Sequence, residues 1–381
     1  MDQRQLAVDE PHLAAIGDTD TYLVAALDDI VANYPPRSRY AHETLQGLWS
    51  GPTGVAYLLL QASARRPGLA VNGQPADALA RAYLAPGSRG HNLRLGSHGC
   101  GLADEKLAYE AVRCAASRDL RDVRQFAACV AQLMTLEDRP DELLYGRAGT
   151  LYLLRMVRHH VPGAAALLDP AIAEISDGVI ARGPLWTWHG RRYLGAVHGD
   201  VGIVTQLVLT SPALAPRLQP VVEKLLAMQL ADGNWPSSEE SGATTTTSKG
   251  LVQFCHGAPG FVLSLLALRP HFPELRGRFD EAIEKGRRCV GGQGLLKKEP
   301  SLCHGIFGNA IALAAGLERE RFLAVATPEN VASIKRADPT AFGRADYGRS
   351  YSTTSSYAPS AVWTWLVCRE EEPPMLAYTD V

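Results

Sequence analysis

The chain has 381 residues, 46% of them hydrophobic, enough to bury a large core as two ordinary domains or as one repeat ring. Its 38 basic and 40 acidic side chains leave a formal charge of -2, which gives no global field to attract nucleic acid or an anionic membrane. No run approaches the roughly 18 consecutive apolar residues of a transmembrane segment. The opening residues lead into no signal-peptide core. The seven cysteines are odd in number and scattered, which argues against a disulfide framework and for reduced thiols in a cytoplasmic protein.

In chain order, a glycine-rich corner recurs. It reads Trp49-Ser-Gly-Pro-Thr-Gly54, His98-Gly-Cys-Gly101, Tyr145-Gly-Arg-Ala-Gly149, His198-Gly-Asp-Val-Gly202, His256-Gly-Ala-Pro-Gly260 and His304-Gly-Ile-Phe-Gly308. Six such corners, roughly 50 residues apart, indicate an internal repeat. The second is imperfect, with Gly99-Cys100-Gly101 in place of Gly-x-x-Gly. The segments after most corners, such as Val55-Ala-Tyr-Leu-Leu-Leu and Phe261-Val-Leu-Ser-Leu-Leu, are apolar nearly all round and read as buried helices. Segments before the corners, such as Val221-Val-Glu-Lys-Leu-Leu, keep a polar face. Each repeat is therefore a helical hairpin with an apolar inner and a polar-faced outer helix. No alternating β-branched run is long enough to require a sheet. The polar stretch 234–248 predicts a mobile loop, either a lid or a surface insertion.

Cys, His and Tyr sit at these corners, and closing the hairpins into an α/α toroid would make them converge. Cys255-His256-Gly257 and Cys303-His304-Gly305 each place two metal-ligating side chains before a turn. Cys255, Cys303 and one histidine would make an open, reactive zinc site; adding both His256 and His304 would make a closed, structural one. Spacing does not choose between them, and the bland reading is a pair of small buried thiols. At an open site, a metal would deprotonate a thiol that is otherwise mostly protonated at neutral pH.

The pieces Glu142-Leu-Leu-Tyr-Gly-Arg-Ala-Gly149, Gly195-Ala-Val-His-Gly199, Cys255-His-Gly-Ala-Pro-Gly260 and Gly294-Leu-Leu-Lys-Lys-Glu-Pro-Ser-Leu-Cys-His-Gly-Ile-Phe-Gly-Asn309 resemble the lanthionine synthetase C-like family. They are closer to its eukaryotic branch than to the bacterial cyclases. The resemblance implies one all-α domain over 1–381, a toroid of about seven helical hairpins in two concentric layers. It implies zinc ligands Cys255, Cys303 and His304, with His256 a near neighbour. It implies His198 as the group that handles a proton, with Glu142 beside it. Tyr145 and Arg147 would face substrate, Arg147 as an anion clamp. Lys298 and Arg4 would contact glutathione, the thiol expected to add to dehydroalanine or dehydrobutyrine in a peptide or protein. Where relatives carry a seventh Gly-x-x-Gly corner, this chain reads Tyr347-Gly-Arg-Ser-Tyr-Ser-Thr-Thr-Ser-Ser-Tyr357, which leaves closure of the last hairpin open. Gln253 stands where relatives often have histidine.

Two other functions compete. A zinc- and glutathione-binding adaptor without catalysis would use the same metal residues. Gln229-Leu-Ala-Asp-Gly-Asn-Trp235 resembles the repeat of terpene cyclases and prenyltransferase β subunits, which are also toroids, but it occurs once.

Overall fold

The computed structural model describes residues 5–6, 15–90, 93–96, 98–135, 139–239, 250–343 and 351–381. Arg4 lies outside these described residues, as do 240–248 of the polar loop. The helices are α1 (Thr19–Asn33), α2 (Pro52–Arg65), α3 (Ala76–Tyr83), α4 (Glu105–Ser117), α5 (Leu120–Met134), α6 (Arg147–His160), α7 (Ala165–Arg182) and α8 (Asp200–Thr210). Next come α9 (Ala215–Ala227), α10 (Ala258–Leu268), α11 (Arg276–Gln293), α12 (Ile306–Ala312), α13 (Leu317–Val325), α14 (Pro328–Ala337) and α15 (Tyr357–Val367). A two-stranded hairpin, β1 (Ala70–Val71) with β2 (Gln74–Pro75), joins α2 to α3. Its turn is Asn72-Gly73, both at positive φ as a tight hairpin requires. Among the described residues no helix is long and apolar enough to cross a membrane.

Burial sorts the helices into two layers. Every residue from Ala258 to Leu266 of α10 is buried, whereas α5 buries only the stripe Val123, Phe126, Val130 and Leu133. Helices α2, α4, α6, α8, α10, α12 and α15 form an inner ring, each packed on the next, and α15 returns to α2. Outside them lie α3 on α2, α5 on α4, α7 on α6, α9 on α8, α11 on α10, α13 on α12 and α1 on α15. The fold is an all-α toroid of two concentric layers.

The corners are what holds the ring together at one end. Backbone hydrogen bonds pass from corner to corner: Leu48 N to Leu102 O (2.8 Å), Leu102 N to Leu143 O (3.3 Å) and Leu143 N to Val197 O (3.0 Å). Further round, Cys255 N donates to Cys303 O (3.2 Å), Cys303 N to Thr354 O (2.7 Å) and Thr353 N to Trp49 O (2.8 Å). The glycines permit this crowding. Gly257 caps α10 with φ at 106°, in the left-handed region. A Cβ at Gly308 would stand 1.9 Å from the Leu302 carbonyl oxygen, because the incoming chain crosses the first turn of α12.

Two corners depart from the glycine pattern. The chain runs on past Gly99 and Gly101, and α4 is capped by Asp104, whose carboxylate accepts from Leu107 N at 2.9 Å. The seventh corner is built on serines. Ser356 Oγ accepts from Ser352 N (3.0 Å), and Ser352 Oγ donates to Trp49 O (3.0 Å), so side-chain hydroxyls do there what close backbone packing does elsewhere. The last hairpin closes the ring, answering the question its sequence left open.

Two further features were read differently from sequence. The described start of the polar loop is not loose: Asn234, Trp235 and Ser238 are buried, and Leu194 N donates to Ser237 O at 3.1 Å. The Gln229…Trp235 motif is architectural. Gln229 Nε2 donates to Ala282 O (2.9 Å) on α11, Trp235 Nε1 donates to Leu225 O (2.8 Å) on α9, and Asn234 Oδ1 accepts from Ala258 N (2.7 Å) at the start of α10.

Residues 374–381 enter the middle of the ring. Asp380 accepts from Tyr57 on α2 (2.7 Å) and Tyr152 on α6 (2.9 Å), while the Tyr378 hydroxyl meets Ser264 on α10 (2.5 Å). Arg155 donates to Tyr378 O at 2.9 Å. This segment closes the axis below the corners.

Candidate functional site

A cavity of about 530 Å³ opens at the corner end. Corner residues line it all the way round: Trp49, Leu102, Tyr145, His198, His256, His304 and Thr354. Met375, Leu376 and Ala377 line it as well, from the segment that closes the axis. Its wall is divided chemically. Gln253, Cys255, His256, Lys298, Cys303 and His304 supply the polar side, while Leu48, Leu102, Leu143 and Leu144 belong to the apolar one.

Cys255, Cys303 and His304 meet because their corners are adjacent and bonded backbone to backbone. Their ligand atoms all lie within 4.8 Å of one another, and His304 and Cys255 are buried. Tetrahedral bonds of about 2.3 Å from sulfur and 2.0 Å from nitrogen need donor separations of roughly 3.5–3.8 Å, which fall inside this limit. The two thiols titrate unequally. A hydrogen bond from Cys303 holds Cys255 well below the usual thiol range, with His304 acting in the same direction against burial. Cys303 is pushed well above that range, first by its bond to Cys255 and then by burial. Two sulfurs and a buried imidazole brought this close are a donor set suited to a borderline-soft dication. These residues fit a metal.

His256 points elsewhere. It is absent from the triad, and its ring lies 6.2 Å from that of His198 and 5.6 Å from that of Tyr193. Burial, then the nearby His198 and Lys298, hold its imidazole below the ordinary value, with Cys255 acting the other way. Its buried Nδ1 makes no hydrogen bond among the described residues.

Glu142 and His198 form a second pair. Glu142 is 2% exposed, and its carboxylate accepts from Leu144 N at 2.9 Å and from Tyr145 N, within its own corner. The same carboxylate lies 2.6 Å from His198 Nδ1. Since a carboxylate only accepts, Nδ1 carries the proton and Nε2 is left to accept or donate at the cavity. The imidazole is also fixed by near-parallel rings: Trp188 at 5.9 Å and Tyr145 at 6.3 Å between centroids. Trp188 and Tyr193, which surround His198, were not singled out from sequence. Three aromatics within the polar run Trp186–Tyr193 were the available signal.

The remaining expected residues divide. Tyr145 and Lys298 line the cavity. Arg147 does not: its guanidinium is 3.2 Å from Asp141 and donates to the Arg139 carbonyl oxygen, locking the corner. These contacts hold the side chain in its corner and off the cavity wall, where an anion clamp would have to stand.

Residues 98–321 match the family model for lanthionine synthetase C-like proteins, and the chain belongs to that family. A glutathione S-transferase LANCL1 of Danio rerio is 29% identical over 195 residues, 46% of this chain and 46% of that protein. The LanC-like protein GCL1 of Arabidopsis thaliana is 31% identical over 186 residues, 45% of this chain and 41% of that protein. The chain thus matches less than half the length of these curated relatives. The structure of nisin cyclase superposes with a TM-score of 0.59 at 14% identity, covering 90% of this chain and 93% of that one. That likeness concerns the fold.

Proposed function

We propose that this protein is a zinc-dependent enzyme that adds the glutathione thiol to dehydroalanine or dehydrobutyrine residues in a peptide or protein. The observation that carries the reading is one cavity bearing both a Cys2His donor set and a carboxylate-held histidine. The name of the Danio rerio relative, a glutathione S-transferase, supports the choice of thiol.

Zinc held by Cys255, Cys303 and His304 would act as a Lewis acid that favours the thiolate of a substrate thiol at neutral pH. The protein residues do the rest. His198 lines the cavity, where Nε2 takes up the proton released by the substrate thiol and returns it to the carbon left carbanionic when sulfur adds to the alkene. Glu142 keeps the proton on Nδ1 and so sets the direction in which Nε2 works. Lys298 offers an ammonium to a substrate carboxylate, which suits a tripeptide with two of them. The leucine wall and Met375–Ala377 reduce access of water around the developing charge.

The test is to incubate the protein with glutathione and a dehydroalanine peptide and follow the adduct by mass spectrometry. The reading expects zinc-dependent adduct formation above the uncatalysed rate. Binding of zinc and glutathione without any acceleration, across dehydroalanine and dehydrobutyrine acceptors, would instead support the non-catalytic adaptor.

A further inference from the structure

We infer that Gln253 and Lys298 form a positioning relay that withdraws charge from the Cys255 sulfur and makes the two cysteine donors electronically unequal. The inference rests on the reading of Cys255, Cys303 and His304 as metal donors. It goes beyond that reading by assigning a role to a residue outside the donor set.

The geometry is specific. Gln253 is 5% exposed; its Nε2 lies 3.0 Å from Cys255 Sγ, and its Oε1 lies 2.9 Å from Lys298 Nζ. An ammonium can only donate, so the amide oxygen must face Lys298 and the amide N–H must face sulfur. The residue's backbone is equally constrained. Gln253 N donates to His256 O and His256 N returns to Gln253 O, each at 3.2 Å. Its neighbour's carbonyl, Val252 O, accepts from Asn309 Nδ2 on α12 at 2.9 Å. The carboxamide is therefore held from both ends before any ligand arrives.

A donor aimed at a thiolate makes a charge-assisted bond, and the buried setting strengthens it. Lys298 polarises the amide in the sense that sharpens this bond. Charge drawn into the hydrogen bond is no longer available on sulfur, so Cys255 becomes a less basic and less nucleophilic donor. Cys303 lacks an amide counterpart, although the Ser355 hydroxyl and the Lys298 charge also act on its sulfur. The residue two before it is Ser301, whose buried hydroxyl makes no hydrogen bond among the described residues. The asymmetry leaves Cys303 the stronger electron donor of the pair. Lys298 retains two of its three N–H donors for a substrate carboxylate, so a role there is compatible with the relay.

The experiment uses the full chain with its metal bound. Site-resolved alkylation by iodoacetamide is followed by mass spectrometry at Cys255 and Cys303 in the zinc-loaded protein. Q253M keeps the side-chain length and removes the donor, and it should raise the Cys255 rate about fivefold while leaving Cys303 unchanged. K298M should do the same to a lesser degree, and the double variant should not exceed Q253M. In the cobalt-loaded protein the sulfur-to-metal charge-transfer band of Q253M should move to longer wavelength, a readout independent of reagent access. If Q253M folds poorly, Q253N, too short to reach the sulfur, carries the same expectation. Equal acceleration at both cysteines, or no change at Cys255 together with an unmoved band, overturns the relay. An additive effect of K298M overturns the part assigned to Lys298. A wild-type protein that takes up neither metal instead overturns the metal reading itself, so the two failures are distinct.

Discussion

His198 and Glu142 show what individual side chains contribute that a motif does not state. Each belongs to a different corner, yet the two lie 2.6 Å apart, and that contact decides which imidazole nitrogen carries the proton. His198→Ala should lower the rate of thiol addition roughly 100- to 10,000-fold while zinc content stays intact, as expected for a lost proton-transfer group. Glu142→Gln should cost roughly tenfold or more, again with full zinc, because the amide can present an N–H and favour the wrong tautomer. Steady-state kinetics on metal-quantified samples checks both, and zinc loss in either variant would mark a structural role instead. The Cys-His pairs and His198 could be read from the residues beside a recurrent glycine corner. The roles of Gln253, Trp188 and Tyr193 could not: an odd glutamine and aromatics in a polar run mark the positions, but their contacts with Cys255 and His198 exist only in the folded chain.

The helical elements are set by burial and by the corners that start them. Glycine corners were legible because a close backbone crossing leaves no room for a side chain, and the missing Cβ recurs at a fixed place. Gly308→Ala should lower stability by roughly 2 kcal/mol or more, because the clash is with a backbone carbonyl and not with a flexible side chain. Chemical denaturation checks this; a change within experimental error would show that the crossing relaxes easily. The corners at Asp104 and Ser356 were not legible in the same way. There, side-chain hydrogen bonds perform the turn, and the sequence signal changes from glycine to a polar cap. A second element-level prediction concerns the end of α6. Burial lowers His160 from its ordinary value to about 4, and its Nε2 lies 3.4 Å from Gln61 Nε2 on α2. The folded state therefore holds His160 neutral while the unfolded chain protonates near pH 6.5, so this stability is present above that pH and lost as pH falls toward 4. The loss amounts to about 1–3 kcal/mol, reduced by the partial exposure of the ring. Denaturation midpoints at pH 7 and 4.5 should converge more closely in His160→Gln than in wild type. An identical drop in both would remove His160 as a source of acid sensitivity.

For the whole molecule, ring closure makes the site and the core a single problem. Corner-to-corner hydrogen bonds bring Cys255 beside Cys303 and join the first corner to the last. Residues 374–381 close the axis, with Asp380 between two tyrosine hydroxyls. Nothing in the local sequence announced that segment, because its few residues have no period and the partners of Asp380 lie more than 200 positions away. Asp380→Ala would remove the acceptor shared by two buried hydroxyls, which then have each other, so one donor is left unpaired at a cost of about 1–3 kcal/mol of stability. Thermal unfolding reads the loss, and an unchanged midpoint would argue that the axis packs without this anchor. The central claim, however, is that the closed ring assembles a metal-dependent thiol-addition site. The most direct measurement is metal content of wild type beside Cys303→Ala, with glutathione addition to a dehydroalanine peptide assayed in the same samples. The account predicts one zinc per wild-type chain, and loss of both zinc and addition in the variant. Wild-type protein that forms the adduct without bound metal, or a variant that keeps full activity after losing it, would contradict the account.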